Sequence, residues 1–222
     1  MFSQDSLDFL AALAANNDRD WFQDHKQDYE RRVKAPALAF IDAMAAPMAE
    51  IAPRFAVGPR CLMRVYRDTR FARDKRPYKT NVGIQFRHDL GKDVHAPGYY
   101  VHVEPGQCFL GVGSWHPESQ ALRRIRDCID DSPRNWLLAR DDKAFRSHFQ
   151  LRGESLVRPP KGFAADHPHL EDLKRKDYIA VCPIDDDAVL GEGFVAYCAE
   201  RFRSADRWMR FLCHAMEAPF EK

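Results

Sequence analysis

The chain has 222 residues, with 34 Lys and Arg against 33 Asp and Glu, a net charge of +1 and a 45% hydrophobic content. That balance excludes wholesale disorder, a globally basic nucleic-acid binder and an acidic tail protein. The length fits one large domain or two small ones, and with no internal repeat or low-complexity linker a single domain over 1–222 is expected, burying roughly 70–75% of its unfolded surface. No apolar run approaches the roughly 18 residues of a membrane span, so no membrane partner is expected. Met1-Phe2-Ser3-Gln4-Asp5 carries neither the basic flank nor the apolar core of a signal peptide, and a cytoplasmic location is expected.

The first third reads as helices. An apolar stretch from Leu7 to Ala15 ends at Asn16-Asn17, and Asn17 or Asp18 caps the next helix. There Trp21, Phe22, His25 and Tyr29 follow at helical spacing, and Asp20, Asp24 and Asp28 form an acidic stripe. Leu38, Ile41, Ala45, Met48 and Ile51 predict a third helix, kinked or shortened by Pro47.

From Cys61 the period changes to two. Leu62–Arg67, Val82–Phe86, Tyr99–Glu104 and Cys108–Trp115 read as four strands, with a tight turn at Glu104-Pro105-Gly106-Gln107. No helix-length insert separates them, which predicts an antiparallel meander with Val82, Ile84 and Phe86 on one buried face. Helices resume after His116-Pro117-Glu118, where Pro reads as a first helical residue, and Leu122, Ile125 and Ile129 give an apolar face. Ser132-Pro133 opens another helix, and Asp141 reads as the cap of a helix carrying Phe145 and Phe149. Residues 151–186 read as loop, Asp185-Asp186-Asp187 as a helix start, and Ser204 as the cap of a last helix carrying Trp208 and Phe211. The expected fold class is α+β: an antiparallel sheet of about four strands packed against N-terminal and C-terminal helices.

Cys61, Cys108, Cys128, Cys182, Cys198 and Cys213 form no Cys-x-x-Cys pair, and several lie in apolar segments. Free thiols in a reducing compartment are expected, and no metal.

Residues 64–79 hold seven basic and two acidic residues in a nearly neutral chain. The connector from Asp68 to Thr80 exceeds the roughly 2–5 residues usual between paired strands, and long loops in compact domains are often functional. Guanidinium forks suit phosphate or carboxylate oxygens. One reading is anion binding; the other is an internal ion-pair network with the acidic N-terminal helices. Crowded positive charge has an electrostatic cost that a bound anion offsets, which favours binding.

Arg64, Arg67-Asp68, Arg70-Phe71, Lys75 and Pro77-Tyr78-Lys79-Thr80 resemble the hallmark R-x-x-R-D-x-R-F-x-x-x-K-x-P-Y-K-T of a bacterial family, domain of unknown function 2461. Further blocks are similar: Asn16-Asn17 to Trp21-Phe22 and Tyr29, Gly98-Tyr99-Tyr100, Gly111-Val112-Gly113, and Lys161-Gly162-Phe163 with Asp166-His167-Pro168. The resemblance spans nearly the whole chain and implies a bacterial cytosolic domain, with no activity to carry over.

Three other groups bear on chemistry. Leu110-Gly111-Val112-Gly113 lacks the third glycine of a dinucleotide fingerprint, although its glycines leave room for a ligand at the sheet. His102 and Glu104 share a strand face with Tyr100, as a proton-shuttling pair or as a solvated cross-strand pair. Asp166-His167-Pro168-His169 contains metal-capable groups but reads better as a local turn. Gly-x-Ser-x-Gly, His-Glu-x-x-His and the phosphate-loop motif are missing, and no cofactor is called for.

The sequence therefore predicts an anionic small ligand, bearing phosphate or carboxylate, at the cationic segment. Arg64, Arg67, Arg70, Lys75 and Lys79 contact it, Asp68 orients an arginine and Tyr78 lines the pocket. The alternative is a nucleic-acid or protein interaction module presenting the same cations with exposed Phe71 and Tyr78. The sequence assigns no reaction to either.

Overall fold

Helical spacing in the first 51 residues produces five short helices: α1 (Gln4–Ala15), α2 (Arg19–Asp24), α3 (Lys26–Tyr29), α4 (Ala35–Ala43) and α5 (Ala45–Ile51). In this computed structural model, residues 1–70, 73–90 and 96–221 are described. Asp18 caps α2, its Oδ1 accepting the Trp21 N–H at 2.9 Å. A π-helical stretch, Glu30–Lys34, joins α3 to α4. The predicted third helix divides at Met44, and Pro47 falls in the first turn of α5, where its missing N–H costs no helical hydrogen bond.

The sheet has six antiparallel strands in the order β1-β2-β3-β4-β6-β5. They are β1 (Phe55–Ala56), β2 (Val82–His88), β3 (Gly98–Val103), β4 (Phe109–Ser114), β5 (Gln150–Arg152) and β6 (Tyr178–Pro183). The predicted meander is β2-β3-β4, turning at Glu104, whose C=O accepts the Gln107 N–H at 2.9 Å. Leu62–Arg67 is a correction: it forms no strand, only isolated bridges, Leu62 to Ile84 of β2 and Tyr66 to Tyr78 in the segment before β2. Pro77 has no N–H to donate, so no regular ladder forms there. The sheet ends on that side with β1, which pairs with the far half of β2.

Strands β5 and β6 arise inside regions read as helix end and loop. Between them lies α9 (Leu170–Leu173). Between β4 and β5 run α6 (Ser119–Asp131), α7 (Pro133–Arg140) and α8 (Lys143–His148). Pro117 precedes α6 rather than opening it. Asp142, not Asp141, caps α8, through the Phe145 N–H. The chain ends in α10 (Asp186–Leu190), α11 (Phe194–Ser204) and α12 (Asp206–Ala215). Ser204 does not cap α12; its hydroxyl donates to the Arg201 carbonyl at 2.7 Å.

Val82, Ile84 and Phe86 share one buried face with Tyr99, Val101, Leu110, Val112, Tyr178 and Ala180. Helices from both ends of the chain meet there. Phe40 of α4 lies 5.0 Å from Phe194 of α11, and Phe202 of α11 lies 4.9 Å from Tyr99 of β3 (ring centroids). Trp208 of α12 packs between Trp136 of α7 and Phe145 of α8. The other face of β2, β3, β4 and β6 bears Gly83, Gln85, Gly98, Tyr100, His102, Phe109, Gly111 and Val181, and it carries the candidate site. No helix among the described residues is long and apolar enough to cross a membrane.

Candidate functional site

Strand register places glycines side by side on this outer face. Gly83 lies opposite His102, Gly98 opposite Gly113, and Gly111 opposite Tyr100. Where side chains are missing the peptide backbone is bared, and a trough of about 340 Å3 forms over it. Its floor includes Gly98, Gly111 and Gly113, and its walls are Met63, Gln85, Tyr100, Phe109, Trp115, Ile179 and Val181. The lining is mostly apolar, the usual character of a small-molecule site.

Tyr100 connects the trough to a polar chain. Its hydroxyl is 3.1 Å from His102 Nδ1, and His102 Nε2 is 3.0 Å from Glu104 Oε2. Thr80 Oγ1 donates to Glu104 Oε1 at 2.6 Å, which holds the carboxylate. The network assigns the tautomer: Nε2–H donates to Glu104, and Nδ1 accepts from Tyr100, with Asn81 Nδ2 at 3.3 Å as a further donor. Phe109 stacks on the imidazole at 4.5 Å. Burial pushes Tyr100 up to about 12, so its phenol keeps its proton at neutral pH. Burial also lowers His102, opposed by the Glu104 carboxylate. Gly83 makes the arrangement possible, since a Cβ there would sit 2.8 Å from Tyr100 Oη and 3.0 Å from Met63 Sδ.

The cationic segment is organised differently. Asp68 and Asp74 each accept from the residue two ahead. Asp68 takes the Arg70 backbone N–H and guanidinium, the latter at 2.7 Å. Asp74 takes the same two groups of Arg76, and Arg67 Nη1 at 2.6 Å as well. Lys75 Nζ donates to the Thr69 carbonyl at 2.9 Å. The arginines hold Asp68 down at about 2 and push Asp74 still lower. Two carboxylates within the loop thus pair with three of the segment's seven cations, Arg67, Arg70 and Arg76.

Tyr78, expected to line the ligand pocket, is buried. It is 2% exposed and stacks on Phe22 at 4.0 Å between centroids. Its backbone N–H donates to Asn17 Oδ1 and its C=O accepts from Asn17 Nδ2, both at 3.0 Å. Asn17 and Phe22 thereby anchor the C-terminal end of the loop to the N-terminal helices. Arg64 and Lys79 stand apart: neither side chain has a hydrogen-bond acceptor or an ion-pair carboxylate among the described residues, although the Lys79 backbone N–H donates to the Val65 carbonyl at 2.7 Å. Burial, with Arg64 nearby, pushes the Lys79 ammonium down. Phe71, expected beside them, lies outside the described residues.

His167 has a structural role. Its Nδ1 accepts the His169 N–H at 3.0 Å, so Nε2 carries the proton donated to Asp130 of α6 at 2.9 Å. Among the described residues no three His, Cys, Asp or Glu side chains gather as a metal site. The six cysteines are free thiols, five of them buried, and burial raises Cys108 and Cys213 to about 12.

Sequence reasoning picked out Tyr100, His102, Glu104 and the Gly111 segment but not the rest of the site. Met63, Phe109, Trp115, Ile179 and Val181 become neighbours only through strand order. Thr80 and Asn81 carried one usable signal: they immediately precede β2, opposite the end of the strand bearing His102. The model of a family described as "Conserved hypothetical protein (DUF2461)" matches residues 5–211. No curated protein and no solved structure matches the chain.

Proposed function

The chain belongs to the DUF2461 family of conserved hypothetical proteins, and on that footing we propose that it binds a small, largely apolar molecule in the outer-face trough. The observation that carries this is the bared strand backbone at Gly98, Gly111 and Gly113, walled by apolar side chains. A flat peptide floor with aromatic walls suits a planar ring, and Tyr100 meets the polar end of the ligand. The volume is at the small end of the range for ligand sites, about 300–1,000 Å3, which suits one or two fused rings.

The test is a thermal-shift screen of planar aromatic alcohols, ketones and carboxylates on wild type and Gly111→Leu. A ligand at 100 times its Kd stabilises by about 2.7 kcal/mol, or several degrees for a domain of this size. The substitution is expected to fill the trough and abolish the shift. Equal shifts in both proteins, or none in wild type, would defeat the reading.

A second reading keeps an anion at the cationic segment, on Arg64 and Lys79. It is favoured because these two side chains lack acceptors among the described residues and the Lys79 ammonium is disfavoured in its half-buried setting, a cost that a phosphate or carboxylate would offset. Tyr78, being buried against Phe22, offers no ring to a nucleic acid. Millimolar phosphate or sulfate is expected to stabilise wild type and to leave Lys79→Ala unshifted; identical responses would remove this reading.

A further inference from the structure

We infer that Tyr100, His102 and Glu104 form a proton-transfer site, and that the molecule held in the trough is a carbonyl compound with an acidic proton beside its carbonyl group. The inference rests on the trough reading. Tyr100 belongs to the trough wall, whereas His102 and Glu104 follow it along β3 and just beyond its end, so the order leading away from the cavity is phenol, imidazole, carboxylate. That is the order in which a hydroxyl at a binding site is made basic by a histidine whose far nitrogen is oriented by a carboxylate. Burial acts in the direction the step requires, keeping the phenol protonated and favouring the neutral imidazole.

The step balances without a co-reactant. The Cα–H bond of the substrate breaks and its proton passes to Tyr100 Oη as the phenolic proton passes to His102 Nδ1. The C–H electron pair becomes the C=C bond of the enolate, and the carbonyl π pair moves to oxygen. Glu104 stabilises the imidazolium. Return of the proton through Tyr100 to oxygen gives the enol; return to carbon regenerates the ketone. The groups facing His102 are Tyr100 and Glu104 on its own strand, Asn81 just before β2 and Phe109 of β4, and Glu104 is the charged one among them.

The experiment follows α-proton exchange by NMR in D2O with two probes, 2-indanone and phenylpyruvate, alongside their thermal shifts on the full chain. Wild type is expected to exchange at least one probe about 100-fold faster than Tyr100→Phe or His102→Gln, the lower range of general acid–base catalysis, with the thermal shift retained. Glu104→Gln is expected to lower the plateau rate. It should also move the acid limb of the pH profile to lower pH, because the carboxylate raises the imidazole pKa; a merely structural carboxylate would leave that limb in place. Probes that bind and exchange no faster than with Tyr100→Phe would overturn the proton-transfer inference and leave the trough reading intact. Probes that neither bind nor exchange would overturn both.

Discussion

The loop at residues 64–79 and the outer face of the sheet meet at Met63, which reaches over Gly83 beside the Tyr100 hydroxyl. In the loop, charge is dense and lies at the surface: two Asp-x-Arg turns and one lysine–carbonyl bond fold part of it back on the loop itself. On the sheet, polar groups are few, but they run in one chain from a half-buried carboxylate to a cavity wall. The contrast teaches that enclosure, rather than charge density, separates a site from a solvated surface. Exposed ion pairs are worth little because water already stabilises both ions, whereas a donor chain against an apolar wall keeps its directionality.

The sharpest test of this contrast is the loop's anchor. Tyr78→Ala removes a buried ring stacked on Phe22 and is expected to cost about 3–5 kcal/mol in urea unfolding. If the loop were held by its charges instead, the loss would be far smaller. Next comes the trough. Gly83→Ala forces a methyl group against the Tyr100 hydroxyl and is expected to cost about 1–3 kcal/mol. It should also break the bond to His102, seen as a changed imidazole shift in NMR; an unaltered spectrum would mean that Gly83 does not set the chain.

At the small end, Arg70→Ala is expected to leave the unfolding midpoint within error, since the side chain is 78% exposed. A large loss would show that the loop's ion pairs support the fold after all. Asp68 supplies the finest measurement. Its folded pKa, about 2, lies below the ordinary 3.8. Any stability it contributes is therefore present above pH 4 and lost as the pH falls towards 2. Carboxyl NMR titration should place it near 2 in wild type and return it towards 3.8 in Arg70→Ala.

Strands β2 to β4 were legible because Val82, Ile84 and Phe86 alternate with smaller or polar neighbours and the Pro105-Gly106 turn marks their connection. Strand β6 was not, because Tyr178-Ile179-Ala180-Val181-Cys182 is apolar on both faces: one packs the core and the other lines the trough. Such a run carries no period to separate strand from helix. The trough was half legible. Gly111 and Gly113 alternate visibly, but Gly83 and Gly98 join them only once register is known. In the loop the sequence showed seven cations without showing that Asp68 and Asp74 turn back on the arginines two residues ahead, although the repeated Asp-x-Arg was a readable sign of two Asx turns.

The placement of β6 between β4 and β5 also sets an order of assembly. β4 pairs with β6 along Phe109–Ser114, about 70 residues apart in the chain. During synthesis the β2-β3-β4 meander can pair between strands close in the chain while β4 remains an open edge, until the ribosome has released residues up to Pro183. An open apolar edge recruits other strands. The nascent chain is therefore most prone to aggregate after Ser114 emerges and before Pro183 does, and fragments ending in that interval should be the ones that engage chaperones most tightly.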